Sequence, residues 1–484
     1  MAAKLSQELL QRAVWEDVEA VPFAVLGLGR SGLAAANALA RRGADVAVYD
    51  DRSADAVQAI AEKLLPGVAK RFGGGYVARP GEICVVSPGI APHTPTFRKA
   101  QASAARVIGE VELFYRLNRA QNGGLGNPII AISGTDGKTT TAMMIDHLLR
   151  AGGHDTCLAG NIGTPLCEVL DQLAPSGWVV AEVSAFQLAT CSLFRPRIAV
   201  LTNVADDHHD WFSGDERAYA DAKRAVARQC GRGDTVVYNA ADPAFRRDLL
   251  PTSGATLIDF SAAERTPALW SASATALHVR VADKTVDWCQ RDAIGADAGA
   301  VLIGEHNAAN ALAAAAAVTA CGVPLAAVVA GLRTFQPAPH RLQRLRSVGG
   351  VAFIDDSKAT NPHAALAGLK AVQVSVDEKL VWIGGGSDKQ ADFTSLGAEL
   401  GERGAAAVLI GATREQIAAA MPPEVAVSHC ESMHEAVGAA FSLAQPGGTV
   451  LLSPACASFG LFRSYSHRGE VFQDAVRALS AAIG

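Results

Sequence analysis

Ile129-Ile130-Ala131-Ile132-Ser133-Gly134-Thr135-Asp136-Gly137-Lys138-Thr139-Thr140 joins an apolar run to a polar loop that carries two glycines. The run reads as a buried strand and the residues after Lys138 read as a helix. Between a strand and a helix, the N–H groups of Gly134, Thr135, Asp136 and Gly137 and the helix N-terminus can cradle phosphate oxygens. Lys138 would neutralise the β/γ-phosphates, and Thr139 would offer a hydroxyl to Mg²⁺. The full eight-residue phosphate-loop pattern is not met, because Ile132 stands in the place of its first glycine. For this segment alone, a plain structural turn is the alternative.

Upstream, Phe23-Ala24-Val25-Leu26 runs into Gly27-Leu28-Gly29-Arg30-Ser31-Gly32, an alanine-rich helical stretch to Arg42, and a second strand from Asp45 to Tyr49 that ends in acids. This is a parallel βαβ unit with GxGxxG at its turn and Asp50 or Asp51 about twenty residues on, the pattern of a dinucleotide site. The loop can serve a nucleotide without being a nicotinamide site, and a tight turn alone would also use its glycines. Gln121 to Pro128, rich in glycine and asparagine, is the clearest linker.

Downstream, strands at Trp178 to Val183 and Ile198 to Leu201 alternate with helices. Beyond Pro337-Ala338-Pro339, strands at Ala352 to Ile354, Leu380 to Ile383, Ala407 to Ile410 and Thr449 to Leu452 do the same. The reading is an α/β protein of three domains with mainly parallel sheets: a Rossmann-like domain over 1–122 with 1–20 as an extra segment, a central mononucleotide-binding domain of the phosphate-loop type over 128–336, and a Rossmann-like domain over 337–484. The length of 484 residues agrees with about three domains.

The hydrophobic fraction of 49% belongs to a globular chain. A net charge of −5 gives no electrostatic basis for capturing nucleic acid or anionic lipid. The nine cysteines stand singly, without a CxxC pair, which fits free thiols in a reducing compartment. The first twenty residues carry charges throughout and lack the apolar core of a signal peptide. Ala308 to Leu332, the most membrane-like stretch, is interrupted by Asn310, Thr319, Gly322 and Pro324 and reads as a buried helix and its successor. A cytoplasmic protein without membrane insertion is expected.

Three further groups carry chemistry. Asp206-Asp207-His208-His209-Asp210 follows a strand end, where α/β proteins place ligands, although a solvated turn has the same composition. Glu182 is an acid at the end of an apolar strand, and a cation would offset the cost of burying it. Asp356-Ser357-Lys358-Ala359-Thr360-Asn361, Gly384 to Lys389 and Ser453 to Ser458 are polar or glycine loops at strand ends of the third domain and suggest a binding rim.

Taken in this order, the segments resemble the Mur ligases from Val21 to the C-terminus. The most specific pieces are DSKATN at Asp356 to Asn361, SPACAS at Ser453 to Ser458 with Arg468-Gly469 after it, GNIG at Gly160 to Gly163, and GEHNAANALAA at Gly304 to Ala314. The closest branch is the one that adds D-glutamate to UDP-N-acetylmuramoyl-L-alanine in peptidoglycan synthesis, with ATP converting the carboxylate to an acyl phosphate. An L-glutamate-adding variant is the near alternative. An NAD-dependent dehydrogenase is the distant one, and it leaves the GKT loop without a role.

The resemblance implies roles residue by residue. Ser31, Asp50, Asp51, Arg52, Ser87 and Gly89 would hold the uridine diphosphate end, and Asn161 and His208 the muramoyl part or the metal. Thr139, Glu182, His208 and a carbamylated Lys223 would ligate Mg²⁺, with two ions expected. Gly134 to Thr140, Asn307, Asn310, Arg341 and Asp356 would bind ATP, and Thr360, Lys389, Ser458 and Tyr465 the glutamate. Lys138, Lys223, His208 and Glu182 are the expected catalytic groups, in a monomer. Asp136 and Tyr465 depart from the usual asparagine and phenylalanine, and one extra residue precedes Lys389.

Overall fold

The computed structural model describes residues 8, 11, 14–205, 215–250, 252–263, 266, 268–281, 284–298, 302, 304–337, 339–372, 374, 378–387 and 391–483. His208 with its neighbouring acids, and Lys389, lie outside the described residues. The chain packs as two compact units, Met1–Trp288 with Ala309–Gly331, and Cys289–Ala308 with Leu332–Gly484.

The first unit carries two sheets. One holds β1 (Pro22–Leu26), β2 (Asp45–Asp50), β3 (Ala69–Phe72), β4 (Ile83–Val86) and β5 (Arg106–Gly109) in the order β3-β2-β1-β4-β5, parallel throughout. The central strands β1 and β4 are near-continuous apolar runs, as strands buried on both faces must be. The order reverses between β1 and β4, so the loops at Gly27 and Ser87 flank the crevice where such sheets bind ligands.

The other sheet holds β6 (Ile129–Ser133), β7 (Thr156–Gly160), β8 (Trp178–Glu182), β9 (Ile198–Leu201), β10 (Thr235–Asn239), β11 (Thr256–Ser261), β12 (Trp270–Ala272), β13 (Ala276–Val281) and β14 (Lys284–Gln290), in the order β14-β13-β12-β11-β10-β9-β6-β8-β7. Pairing is parallel from β7 to β12 and turns antiparallel between β12 and β13. The register sets Ile132 opposite Glu182 and Ser133 opposite Leu201, so three strands end together beside the phosphate loop. The alanine-rich stretch forms the helices Glu305–Ala320 and Leu325–Thr334, with Ala311–Val318 fully buried. Among the described residues no helix is long and apolar enough to cross a membrane.

A buried ion pair joins these two parts. Glu112, on the helix Glu110–Arg119, bonds Arg116 at 2.8 Å and accepts the N–H groups of Ser192, Leu193 and Phe194 at 3.0–3.2 Å, plus the Ser192 hydroxyl at 2.9 Å. The indole of Trp15 covers the Arg116 guanidinium at 4.8 Å, and Trp15 and Val18 are buried. At least part of the segment before β1 therefore belongs to the core.

The second unit holds β15 (Gln343–Arg344), β16 (Ala352–Asp355), β17 (Leu380–Gly384), β18 (Ala406–Leu409), β19 (Val427–His429) and β20 (Thr449–Leu452), in the order β15-β16-β20-β17-β18-β19 and parallel except for β15 against β16. The α/β class with mainly parallel sheets is as read from the sequence. All nine cysteines are free thiols.

Glu110 is buried beside Cys167, whose N–H it accepts at 2.6 Å, and burial pushes its carboxyl up to about 7 from an ordinary 4.5. The unfolded chain loses this proton first as pH rises. Wild-type stability therefore falls between the two values and levels off above the folded one. Glu110→Gln removes that slope. In thermal melts at about pH 5 and about pH 8, the variant is expected to gain on the wild type at the higher pH. An equal difference at both would exclude Glu110 as the source.

Candidate active site

In the first sheet's loop, Gly27 adopts φ +87° and a Cβ on Gly32 would lie 2.0 Å from the Gly27 carbonyl oxygen, so both glycines are required by the turn. Gly29 and Gly89 have open space instead, which leaves their backbones accessible to a ligand. Ser31 and Ser87 are half-buried, and the Ser87 hydroxyl donates to the Gly27 carbonyl at 2.8 Å. Asp50 is turned inward. It accepts the Leu28 N–H at 2.7 Å and Arg52 through Nε at 2.8 Å and a terminal nitrogen at 2.8 Å, and the Arg52 hydrogen bonds hold its carboxyl down at about 2. Asp50 thus shapes the glycine loop and fixes Arg52, while Asp51 is exposed and accepts the Thr96 hydroxyl at 3.0 Å.

In the central sheet, the helix Lys138–Ala151 starts at Gly137 (φ +77°) without a side-chain cap, so its first-turn N–H groups are available to an anion. Lys138 Nζ donates to the carbonyls of Gly134 at 2.8 Å and Thr135 at 2.6 Å. Asn310 Oδ1 accepts the Thr141 hydroxyl at 3.2 Å, and a Cβ on Gly137 would lie 2.3 Å from it. Among the described residues, three buried polar atoms around this loop lack a partner: Ser133 Oγ, Thr140 Oγ1 and Asn310 Nδ2. Such orphans are costly. A nucleotide triphosphate, rich in acceptors, fits a site with them. Asn307 is buried one turn before Asn310 on the same helix.

At the neighbouring strand end, Asn161 Nδ2 donates to Glu182 Oε1 at 3.0 Å, and the Asn161 N–H meets the Glu182 carbonyl at 2.8 Å. Gly160 at φ +115° allows this approach, since a Cβ there would lie 2.2 Å from the Glu182 oxygen. Lys223 is buried with Nζ 4.1 Å from the centre of the Tyr219 ring, and the Tyr219 hydroxyl lies 3.4 Å from Thr135 Oγ1. The strand ends and Tyr219 thus group Thr139, Glu182, Asn161 and Lys223 around one loop. No cluster of three or more His, Cys, Asp or Glu is present among the described residues. The oxygens of Thr139 and Glu182 suit Mg²⁺, which takes one or two protein ligands and completes its shell with phosphate and water.

In the second unit, Arg468 is fully buried and ties the loops at three strand ends. Its Nε donates to Ser357 Oγ at 3.0 Å, and its terminal nitrogens reach the carbonyls of Ser357 at 2.8 Å, Cys456 at 3.0 Å and Gly385 at 3.5 Å. Burial lowers this guanidinium to about 10. Asp356 is buried against the Ser453 hydroxyl at 2.7 Å, and burial raises its carboxyl to about 7. Arg341 follows His340, which stands at φ +63° with its ring 2.7 Å from Asp355; Arg341 Nε has no partner among the described residues, as suits a donor for phosphate. Thr360 is half-buried and Ser458 buried, and the Tyr465 ring lies 5.4 Å from Lys358 Nζ. In the sequence, Arg468 stands only as part of a motif. Its partners are mostly backbone oxygens, which leave no residue signature.

Comparison with known proteins bears on the whole chain. The sequence models for "Mur ligase MurD-like, N-terminal domain", "Mur ligase middle domain" and "Mur ligase, glutamate ligase domain" match residues 22–109, 132–318 and 340–456. A Frankia casuarinae protein named UDP-N-acetylmuramoylalanine--D-glutamate ligase is 39% identical, over 95% of this chain and 94% of its own length. The chain belongs to the Mur ligase family.

A Streptomyces coelicolor Mur ligase of the same name is 40% identical over 94% of this chain and 98% of its own. Among solved structures, the Mur ligases MurC of Thermotoga maritima and MurF of Acinetobacter baumannii share the fold at TM-score 0.57. They cover 94% and 98% of this chain and 99% and 98% of their own, with 18% and 17% identity. Mur ligases are ATP-dependent ligases, and this chain is one.

Replacing Arg468 by lysine keeps the charge but cannot reach all three loops. Urea denaturation is expected to show a loss of about 2–4 kcal/mol. A change within error would mean that the loops hold together without the guanidinium.

Proposed function

We propose that the protein adds D-glutamate to UDP-N-acetylmuramoyl-L-alanine in the cytoplasm, as a monomer, in a step of peptidoglycan synthesis. The observation that carries the reading is the convergence of the uncapped phosphate loop and Glu182 on adjacent strand ends. The relatives that match nearly the whole chain are named for this reaction.

A carboxylate is a poor electrophile at neutral pH, so the work of the site is positioning and charge neutralisation around an acyl phosphate and an attacking amine. The first-turn amides and Lys138 hold the triphosphate. Thr139 and Glu182 would hold Mg²⁺, which would supply charge neutralisation at the phosphates. Asn161 orients Glu182 and faces the sugar. Ser31, Asp51, Arg52, Ser87 and Gly89 take the uridine diphosphate, with Asp50 bracing Arg52. In the second unit, Arg341 is assigned to phosphate and Asp356 to ribose, and Thr360, Ser458 and Tyr465 to the glutamate. His208 and Lys389 are assigned to the metal or muramoyl group and to the glutamate by resemblance alone.

Lys223 is carbamylated in this reading. Its ammonium first gives one proton to solvent; the neutral amine then attacks CO₂, an N–C bond forms as one C=O electron pair moves to oxygen, and a second proton leaves nitrogen for solvent. A buried ammonium becomes an anion suited to a second Mg²⁺.

Phosphate release with ATP, Mg²⁺ and UDP-N-acetylmuramoyl-L-alanine is expected with D-glutamate and absent with L-glutamate or neither, with the dipeptide product identified by mass. Preference for L-glutamate would reassign the substrate while keeping the chemistry. Lys223→Ala is expected to abolish turnover, with partial recovery in a short carboxylic acid. Full activity of the variant would remove the carbamate.

A further inference from the structure

The phosphate loop is held from outside by the end of β9. The Thr202 N–H pairs with the Ser133 carbonyl at 3.0 Å, continuing the ladder one residue past the strand, and the chain then turns so that the Asn203 carbonyl accepts the Thr135 N–H at 2.8 Å. The Asn203 side chain is bidentate on one loop residue. Its Oδ1 accepts the Asp136 N–H at 2.8 Å and its Nδ2 donates to the Asp136 carbonyl at 3.2 Å. The Thr202 hydroxyl donates to the same carbonyl at 2.7 Å. Gly134, at φ +151°, lies so close that a Cβ would stand 1.9 Å from the Thr202 hydroxyl and 3.1 Å from the Asn203 backbone.

We infer that Asn203 is a positioning residue for ATP: its side-chain amide clamps the two peptide groups that flank Asp136 and so fixes the conformation in which the loop meets the triphosphate. The sequence shows why a clamp is needed. Ile132 removes the first glycine of the longer phosphate loop, and the shorter loop from Gly134 to Gly137 contains Thr135 and Asp136, which are not confined to one conformation by their own chemistry. A carboxamide offers both a donor and an acceptor, so it can satisfy the N–H and the carbonyl of one residue at once. With the Asp136 N–H and carbonyl committed to Asn203 and Thr202, neither the Thr135–Asp136 nor the Asp136–Gly137 peptide can flip. The phosphate donors are then the remaining loop amides and the first turn of the helix.

This inference rests on the assignment of the ATP phosphates to the loop. The test is steady-state phosphate release by the full chain with MgATP, UDP-N-acetylmuramoyl-L-alanine and D-glutamate, for the wild type, Lys138→Ala and Asn203→Ala, together with the melting temperature of each. Asn203→Ala is expected to raise KM for MgATP about tenfold or more, the scale of two lost hydrogen bonds, while KM for the nucleotide-sugar stays within about twofold. Thr202→Val, which removes one bond to the same carbonyl and keeps the side-chain shape, is expected to shift KM for MgATP in the same direction by a smaller factor; it serves if Asn203→Ala does not fold. An unchanged KM for MgATP in a folded variant would overturn the inference. So would parallel losses in all substrate constants with a lowered melting temperature, the mark of a purely structural role. If Lys138→Ala also leaves MgATP unaffected, the loop assignment itself falls. If only Lys138→Ala weakens MgATP, the assignment stands and the clamp falls.

Discussion

Parallel pairing of β6 with β8 on one side and β9 on the other is the constraint on which the central site depends. Because parallel strands lie in fixed register, the ends of all three face the same way, and groups far apart in the chain arrive at one edge. Glu182 comes from β8 and pairs beside Ile132, and Thr202 comes from just past β9 and bonds the loop that leaves β6. The apolar character of these strands is thus the means by which polar groups are brought together: β6, β8 and β9 are buried along nearly their whole length, so only their ends are open to ligands.

The same division of labour recurs in the other sheets. In the first, Asp50 spends its carboxylate on Leu28 and Arg52, holding a loop and a side chain in place. In the second unit, Arg468 spends its guanidinium on the carbonyls of three loops. In each case a charged side chain is withdrawn from solvent, and its cost is offset by several hydrogen bonds to backbone. Rigid loops follow, and rigid loops hold the exposed groups to the geometry that charge stabilisation needs.

Much of this was legible in the sequence. Ile198–Leu201 and Thr449–Leu452 are strands with the expected bounds, because short apolar runs bounded by polar turns have few other ways to be buried. Glu182 stood out as an acid within such a run, and the loop at Gly134 announced itself by glycine and lysine spacing. The strands β3 and β14 did not stand out: Ala69–Phe72 carries two basic residues and Lys284–Gln290 is mostly exposed, so neither has an apolar pattern. The work of Asn203, Arg468 and Glu112 was equally hidden, since each acts largely on peptide groups, and a peptide group has no letter in the sequence. Long-range pairing of side chain with backbone is visible only after folding.

Trp15 gives the first domain a physical edge that lies before the region matched by the family's N-terminal domain, which begins at residue 22. The indole roofs the Arg116 guanidinium, and Arg116 in turn neutralises the carboxylate that gathers the amides of Ser192 to Phe194. A fragment cut at residue 22 would admit water to that pair and loosen the seam between two sheets. The stretch a family pattern records and the stretch that must be present for the fold to close are, at this end of the chain, different lengths of polypeptide.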